Sequence, residues 1–273
     1  MSKTQLSLGP VQETLLIPLL GRAVETRRGK GLIHDLKAVS IVDQINYDFS
    51  QWKNVRSITD TTVRTRMIDE DVSAFLEEHP TGNIVEIGCG LNTRFERLDN
   101  GKAIWHEFDL PDVIELRKKF FLPTERRFTR DANVLSDDWF RGIRADQPTC
   151  FVAEAVLIYL NNSQAEQVLS TIASHFSNSW IITDTTPSVM VETQASHDAM
   201  KHLEKKSWFQ WCCDHPKDLE KLGLRLQKSQ GLYEAKPHIQ KRLSLKMRVV
   251  YKFRFFWKEG IRNYRINLFF TDP

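Results

Sequence analysis

Residues 84–95 read IVEIGCGLNTRF, an apolar run ending in an acid, then a GxG turn and a polar stretch able to open a helix. Gly88 and Gly90 allow a sharp reversal, and they let a ligand reach contact distance of the backbone where a Cβ would clash. Glu86, just before the glycines, suits a cationic or hydrogen-bond-donating ligand rather than a pyrophosphate. Thr93 stands where a dinucleotide fingerprint needs its third glycine, which disfavours a nicotinamide cofactor. Asp109 follows a second apolar run, 19 residues after Gly90. An acid there can accept hydrogen bonds from both hydroxyls of a ribose, and capping the following helix is a compatible second role. Together these groups suit S-adenosylmethionine, which carries a sulfonium, an α-amino group and no phosphate.

The elements that must hold these residues alternate. Short apolar runs near Ile84–Ile87, Ala103–Phe108, Arg127–Thr129, Thr149–Ala153, Trp180–Thr183, Leu224–Lys228 and Tyr264–Phe270 read as strands. Between them Asn92–Leu98, Val113–Phe121 and Ser163–Ser174 read as helices, with Pro111 at a helix start. The pattern predicts an α/β fold, a doubly wound, mostly parallel seven-stranded sheet covered on both faces. Ligands of such sheets sit beyond the carboxyl ends of the strands, so Glu86–Thr93, Asp109, Asn133 and Glu154 are expected on one rim. Residues 1–80 read as a helical N-terminal extension, in which Asp69–Leu76 is helical and His79-Pro80-Thr81-Gly82 a stop. Residues 187–222, dense in aromatics and histidines, break the rhythm and are expected to form a helical cap over the pocket of a single domain, 1–273.

Composition bounds the rest. With 41% hydrophobic and 27% charged residues the chain is of ordinary globular type, and no run approaches the ~20 apolar residues of a membrane span. The run Leu15–Leu20 is short, broken by Pro18 and lacks a basic leader, so it does not read as a signal peptide. Four cysteines without CxxC spacing read as reduced thiols of a cytoplasmic protein, and no cluster has metal-ligand spacing. The net charge of +3 conceals ten Lys or Arg against one acid, Glu259, in residues 236–265. Such a stretch could meet nucleic acid, a membrane surface or an anionic substrate. Met247, Val250, Phe253 and Trp257 at helical spacing point instead to a solvated helix face, so no membrane partner is expected and nucleic acid is disfavoured.

The stretches VEIGCGLNTRFERLDNGKAIWHEFDLPDVIELRKKF, FVAEAVLIYL, WIITDTTP, TLLIPLLGRAVE and VRTRMIDEDVSAFL resemble the leucine carboxyl methyltransferase family, nearest its bacterial polyketide-type O-methyltransferase branch. The resemblance covers roughly residues 12–185. It implies a Rossmann-like class I methyltransferase fold and S-adenosylmethionine as cofactor. It further implies that Arg64, with Arg66 the alternative, holds the cofactor's carboxylate and that Gly88 and Gly90 pass beneath it. Asp109 would bind the ribose, Asn133 and Val134 the adenine, and Glu154 would face the amino group, with Tyr159 lining the pocket. The chain departs from the family pattern at Asn92, where aspartate is usual, and at Ala155, where glycine is frequent.

Methyl transfer from a sulfonium is an in-line displacement that needs positioning and no metal. A carboxylate nucleophile needs no base, whereas a phenol would benefit from one. His202, with His197 and His215, is the candidate base, and Tyr159 the candidate for orienting the acceptor. Trp208, Phe209 and Trp211 would suit a flat aromatic acceptor by stacking. The expected activity is O-methylation of a carboxylate or hydroxyl of a small, polyketide-like or aromatic molecule. Methylation of a protein C-terminal carboxylate and an RNA-binding methyltransferase that uses 236–265 are the alternatives.

Overall fold

The computed structural model describes residues 3–52, 55–257 and 264–273. In chain order the helices are α1 (Pro10–Glu13), α2 (Leu16–Arg27), α3 (Leu36–Gln44), α4 (Ser57–Glu78), α5 (Arg94–Leu98), α6 (Pro111–Lys118), α7 (Asn162–His175), α8 (Ser188–Glu192), α9 (Pro237–Gln240) and α10 (Leu245–Trp257). The strands are β1 (Asn83–Ile87), β2 (Ile104–Asp109), β3 (Arg127–Asp131), β4 (Thr149–Ala153), β5 (Trp180–Thr185), β6 (Leu224–Gly231) and β7 (Arg265–Thr271). They form one seven-stranded sheet in the order β3-β2-β1-β4-β5-β7-β6. The first five run parallel, and β7 enters antiparallel between β5 and β6. All seven expected strands are present, with no end shifted by more than three residues.

Period-two geometry sorts the strand side chains between two cores. Ile84, Trp105, Cys150, Val152 and Ile182 face α4, which buries Val63, Met67, Val72 and Phe75 against them. Val85, Ile87, Phe151 and Ala153 face the other way, onto Ala165, Val168, Leu169 and Ile172 of α7. Each fully buried aliphatic or aromatic side chain contributes about 1.5–3 kcal/mol by leaving water. The α7 helix starts where its sequence asks it to: Asn161 and Gln164 form a reciprocal capping box. Pro111 opens α6 at its first turn.

A third core joins α2 and α3 to the glycine turn, where Leu16, Leu19 and Ala23 pack with Ala38, Ile41 and Leu91. This N-terminal layer therefore lies over the carboxyl ends of β1 and β2, on the rim where a ligand belongs. The segment 187–222 departs from expectation. It contains the short α8 and four 3-10 turns rather than a helical cap. No stretch there sustains a 3.6-residue apolar period, and Pro216 with closely spaced Ser, Thr and Asp offers the backbone local alternatives to an α-helix.

Candidate active site

Strands β1, β2 and β4, with the turn after β3, end at a shared cavity of about 1050 Å³. Its floor is the turn after β1. Gly88 has φ +61°, and a Cβ there would lie 2.5 Å from the Val156 side chain; Gly90 has φ +49°. Only glycine adopts such angles without cost. The turn is clamped from behind by two buried guanidiniums. Arg117 donates to the carbonyls of Gly90 and Asn92, both at 2.8 Å, and Arg22 donates to that of Leu91 at 2.7 Å. From the front, the carboxylate of Asp109 accepts the Gly90 N–H at 2.7 Å and the Leu110 N–H at 2.8 Å. Burial raises the Asp109 carboxyl above the ordinary aspartate range, although both backbone donors pull it down. Arg117 owes its place to Glu107, which it grips at 2.5 and 3.0 Å together with Arg127.

Beside the turn runs a buried ionic chain. Arg22 pairs with Asp35, Asp35 with Arg97, Arg97 with Asp69, and Asp69 with Arg94. Arg94 also pairs with Glu86 and Glu154, both at 2.6 Å; Glu154 pairs with Arg64 at 3.0 Å, and Arg64 lies 3.8 Å from Asp184. Four guanidiniums thus face five carboxylates, one negative charge in excess. Burial raises the carboxyls of Glu86 and Asp184, whereas the Arg64 and Arg94 cations hold Glu154 down at about 2 against its own burial. Desolvating five carboxylates beside four cations leaves a site that favours one more positive charge.

Each expected residue can now be placed. Arg64, Glu86, Gly88, Gly90, Asp109, Asn133, Val134, Glu154 and Tyr159 all line the cavity. Two of the acids do not present free carboxylates, however. Both oxygens of Glu86 are taken by Arg94, at 2.6 and 2.7 Å. Glu154 accepts from Arg64, Thr65, Arg94 and, weakly at 3.3 Å, Asn92, which fills its acceptor positions. A ligand ammonium reaches Glu154 directly only by displacing Asn92. Asn92 does not cap α5; Thr93 occupies that position, and its hydroxyl goes to Asp35 instead. Arg66 is half exposed and pairs with Glu70, outside the cavity. Asn133 has its carbonyl oxygen engaged by the Leu135 N–H, which leaves its amide to donate.

His202 stands corrected. It is exposed on a 3-10 turn and lines no part of the cavity, and His215 is exposed as well. His197 is the histidine on the wall, with Nδ1 at 3.3 Å from the N–H groups of Ala199 and Met200. Of the aromatics, Phe209 lines the cavity beside Tyr159, at a ring separation of 5.8 Å, whereas Trp211 is buried in the α7-side core and Trp208 is off the wall. Burial pushes the Tyr159 phenol up to about 12, so at neutral pH it is a hydrogen-bond donor and no base.

Tyr264 on the wall and Asp184 buried behind it escaped the sequence reading. Tyr264 accepts from Arg64 Nη1 at 3.0 Å and donates to Asp184, which in turn accepts the Ala155 N–H at 2.8 Å. Asp184 is an acid near the carboxyl end of β5, the signal that exposed Asp109 and Glu154. Tyr264 lies 200 residues from Arg64 and carried no local signal. Ala155 has φ +54°, a left-handed angle that turns the chain so Glu154 and Tyr159 both reach the site. Left-handed backbone costs an L-residue roughly 1–2 kcal/mol, partly offset by the lower unfolded-state entropy of alanine relative to glycine. Ala155→Gly should therefore raise stability slightly, by up to about 1 kcal/mol, and Ala155→Val should lower it. Thermal melts of the two variants against the parent check this.

The model of the leucine carboxyl methyltransferase family matches residues 16–173. The chain is 29% identical over 256 residues to the tetracenomycin polyketide synthesis O-methyltransferase of Streptomyces glaucescens, covering 90% of this chain and 93% of that protein. It is 28% identical over 242 residues to an S-adenosyl-L-methionine-dependent methyltransferase of Gibberella zeae, with 81% of each chain covered. Among solved structures, a Galdieria sulphuraria protein provisionally named a sarcosine dimethylglycine methyltransferase matches with a TM-score of 0.50 at 11% identity. That match covers 83% of this chain and 91% of the other, and it speaks to the fold alone. The chain belongs to the leucine carboxyl methyltransferase family; it is an S-adenosylmethionine-dependent methyltransferase with a class I, Rossmann-like sheet.

Proposed function

We propose that this family member methylates a carboxylate or hydroxyl oxygen of a small, largely apolar acceptor. The observation that carries the reading is the division of one cavity into unlike halves. Its floor is charged, with Arg64, Glu154, Asp109 and the glycine turn, and another wall is the apolar cluster of Ile158, Met190, Met200 and Phe209. The floor fits the cofactor on three counts. Glycines at positive φ bring bare backbone to the cavity floor, Asp109 can accept from two hydroxyls, and the surplus negative charge matches a molecule carrying two cations and one carboxylate.

S-adenosylmethionine, when bound, supplies an electrophilic methyl on a sulfonium. Within this reading the residues have separate tasks. Arg64 meets the carboxylate through Nη2, which has no hydrogen bond among the described residues. Glu154 and Glu86 act mainly by charge, through Arg64 and Arg94. Asp109 orients the ribose, and Asn133 and Val134 border the adenine. The wall formed by Val189, Met190, Thr193, His197, Met200 and Phe209 acts as the cap that excludes water and holds the acceptor in line. The four free cysteines fit a reducing, cytoplasmic setting.

Tyr159 would donate a hydrogen bond to the acceptor. Tyr159→Phe should leave cofactor affinity unchanged and raise the acceptor KM about tenfold, the worth of one such bond. The parent rate should show no limb from this phenol at neutral to mildly alkaline pH, given its value of about 12. The reading as a whole is tested with methyl-labelled S-adenosylmethionine and panels of phenolic and carboxylic acceptors. Label released by base marks a methyl ester, and base-stable label an ether. Transfer to nitrogen or carbon acceptors alone would overturn it.

A further inference from the structure

The basic stretch left unused by the methyl-transfer reading contains α10, and its geometry differs from the solvated helix face that its sequence suggests. The inward side chains are Met247 and Tyr251, 7% and 2% exposed, with Val250 half-buried. Phe253 does not join them; it is 70% exposed and aligns with Leu245 at 78% and Val249 at 47%. The side chain of Trp257 and residues 258–263 lie outside the described residues. Spacing of four places Leu245, Val249 and Phe253 along one outward ridge. Exposed Lys246, Arg248 and Lys252 lie beside it, and exposed Lys241 and Arg242 precede it. None of these five cations forms an ion pair among the described residues. No acid occurs between Glu234 and Glu259.

We propose that this face docks the protein on an anionic lipid surface. An apolar ridge flanked by Lys and Arg is the arrangement that lies in a headgroup layer, with the ridge among the acyl chains and the cations on lipid phosphates and carboxylates. A second copy of the chain would bring the same positive charge against itself. A nucleic acid would match the charge but leave two aliphatic side chains against phosphate and sugar. The face stands close to the cavity: the Tyr251 hydroxyl donates to Asp60, which lines the cavity wall, and α10 packs on the turn that contributes Leu232 and Tyr233. A lipid surface at α10 would therefore place the cavity wall next to the phase in which an apolar acceptor collects.

The test is flotation of the full chain with phosphatidylcholine vesicles, alone and mixed with phosphatidylserine. Binding is expected only to the mixed vesicles, weakened by salt and cut at least about tenfold in Leu245→Ser/Val249→Ser/Phe253→Ser. The three positions are exposed, so the variant should keep the parent's melting temperature and cofactor affinity, which separates lost docking from lost folding. No binding to mixed vesicles would overturn the proposal. So would unchanged vesicle binding by the serine variant, tighter binding to an RNA duplex than to vesicles, or a concentration-dependent dimer that the serine variant abolishes.

Discussion

Asp109→Ala is expected to weaken S-adenosylmethionine binding by about 100-fold or more, measured by calorimetric titration. Two effects add. Each hydrogen bond to a charged partner is worth about 1.5–3 kcal/mol, and a ribose offers two. The variant also strands the Gly90 N–H, which Asp109 holds at 2.7 Å, and so loosens the floor on which the cofactor rests. Asp109→Asn separates the two. Its carbonyl can still accept from Gly90, but its amide cannot accept from a ribose hydroxyl, so a loss nearer tenfold is expected. Because burial raises the carboxyl of Asp109, affinity should begin to fall at a higher pH than an ordinary aspartate would give as the solution is acidified. Unchanged affinity in the alanine variant would remove Asp109 from the site and the ribose reading with it.

Asp109 was legible because its signal is local: one acid at the end of one apolar run, at a set distance from two glycines. The same holds for the strands, each of which announces itself over three to seven residues, and for Gly88 and Gly90, whose positive φ angles follow from residue type. What stayed hidden depends on two distant segments meeting. Arg94 is adjacent to the glycine turn in sequence, yet nothing local says that its guanidinium will reach Asp69 on α4, Glu86 on β1 and Glu154 after β4. That Arg94 already answers Glu86 and Glu154 was hidden for that reason: charge type is visible in a sequence, but whether the charge is already answered is not. The histidines failed similarly. His197 and His202 are five residues apart, and only the placement of the 3-10 turns puts one on the wall and the other in water.

Arg94→Met should be the most damaging single change to stability. The guanidinium is 1% exposed and, among the described residues, is the one group that pairs with Asp69, Glu86 and Glu154 together. Methionine fills much of its volume, so the loss is chiefly one of charge: three buried carboxylates keep their mutual repulsion and lose their shared cation. Removing one partner of a buried pair costs about 3–5 kcal/mol, a large part of a typical total of about 5–15. For a domain of this size the melting temperature should drop by roughly 10 °C. Arg94→Lys should recover little, because a point charge cannot span three acceptors set apart as a guanidinium fork requires. The sign of the pH dependence separates charge from packing. In the parent, Glu154 is held at about 2, below its unfolded value of about 4.3. Its contribution is therefore full above the unfolded value and is lost as pH falls through the folded one. Without Arg94 the same carboxylates bind protons more readily than in the unfolded chain, so acidification relieves the variant while it erodes the parent. The stability difference between the two should accordingly be largest near neutral pH and shrink toward pH values of about 4–5. A difference that stays constant across that range would mean that Arg94 matters for its shape rather than its charge, and the case for a cavity tuned to a cationic cofactor would lose its main support.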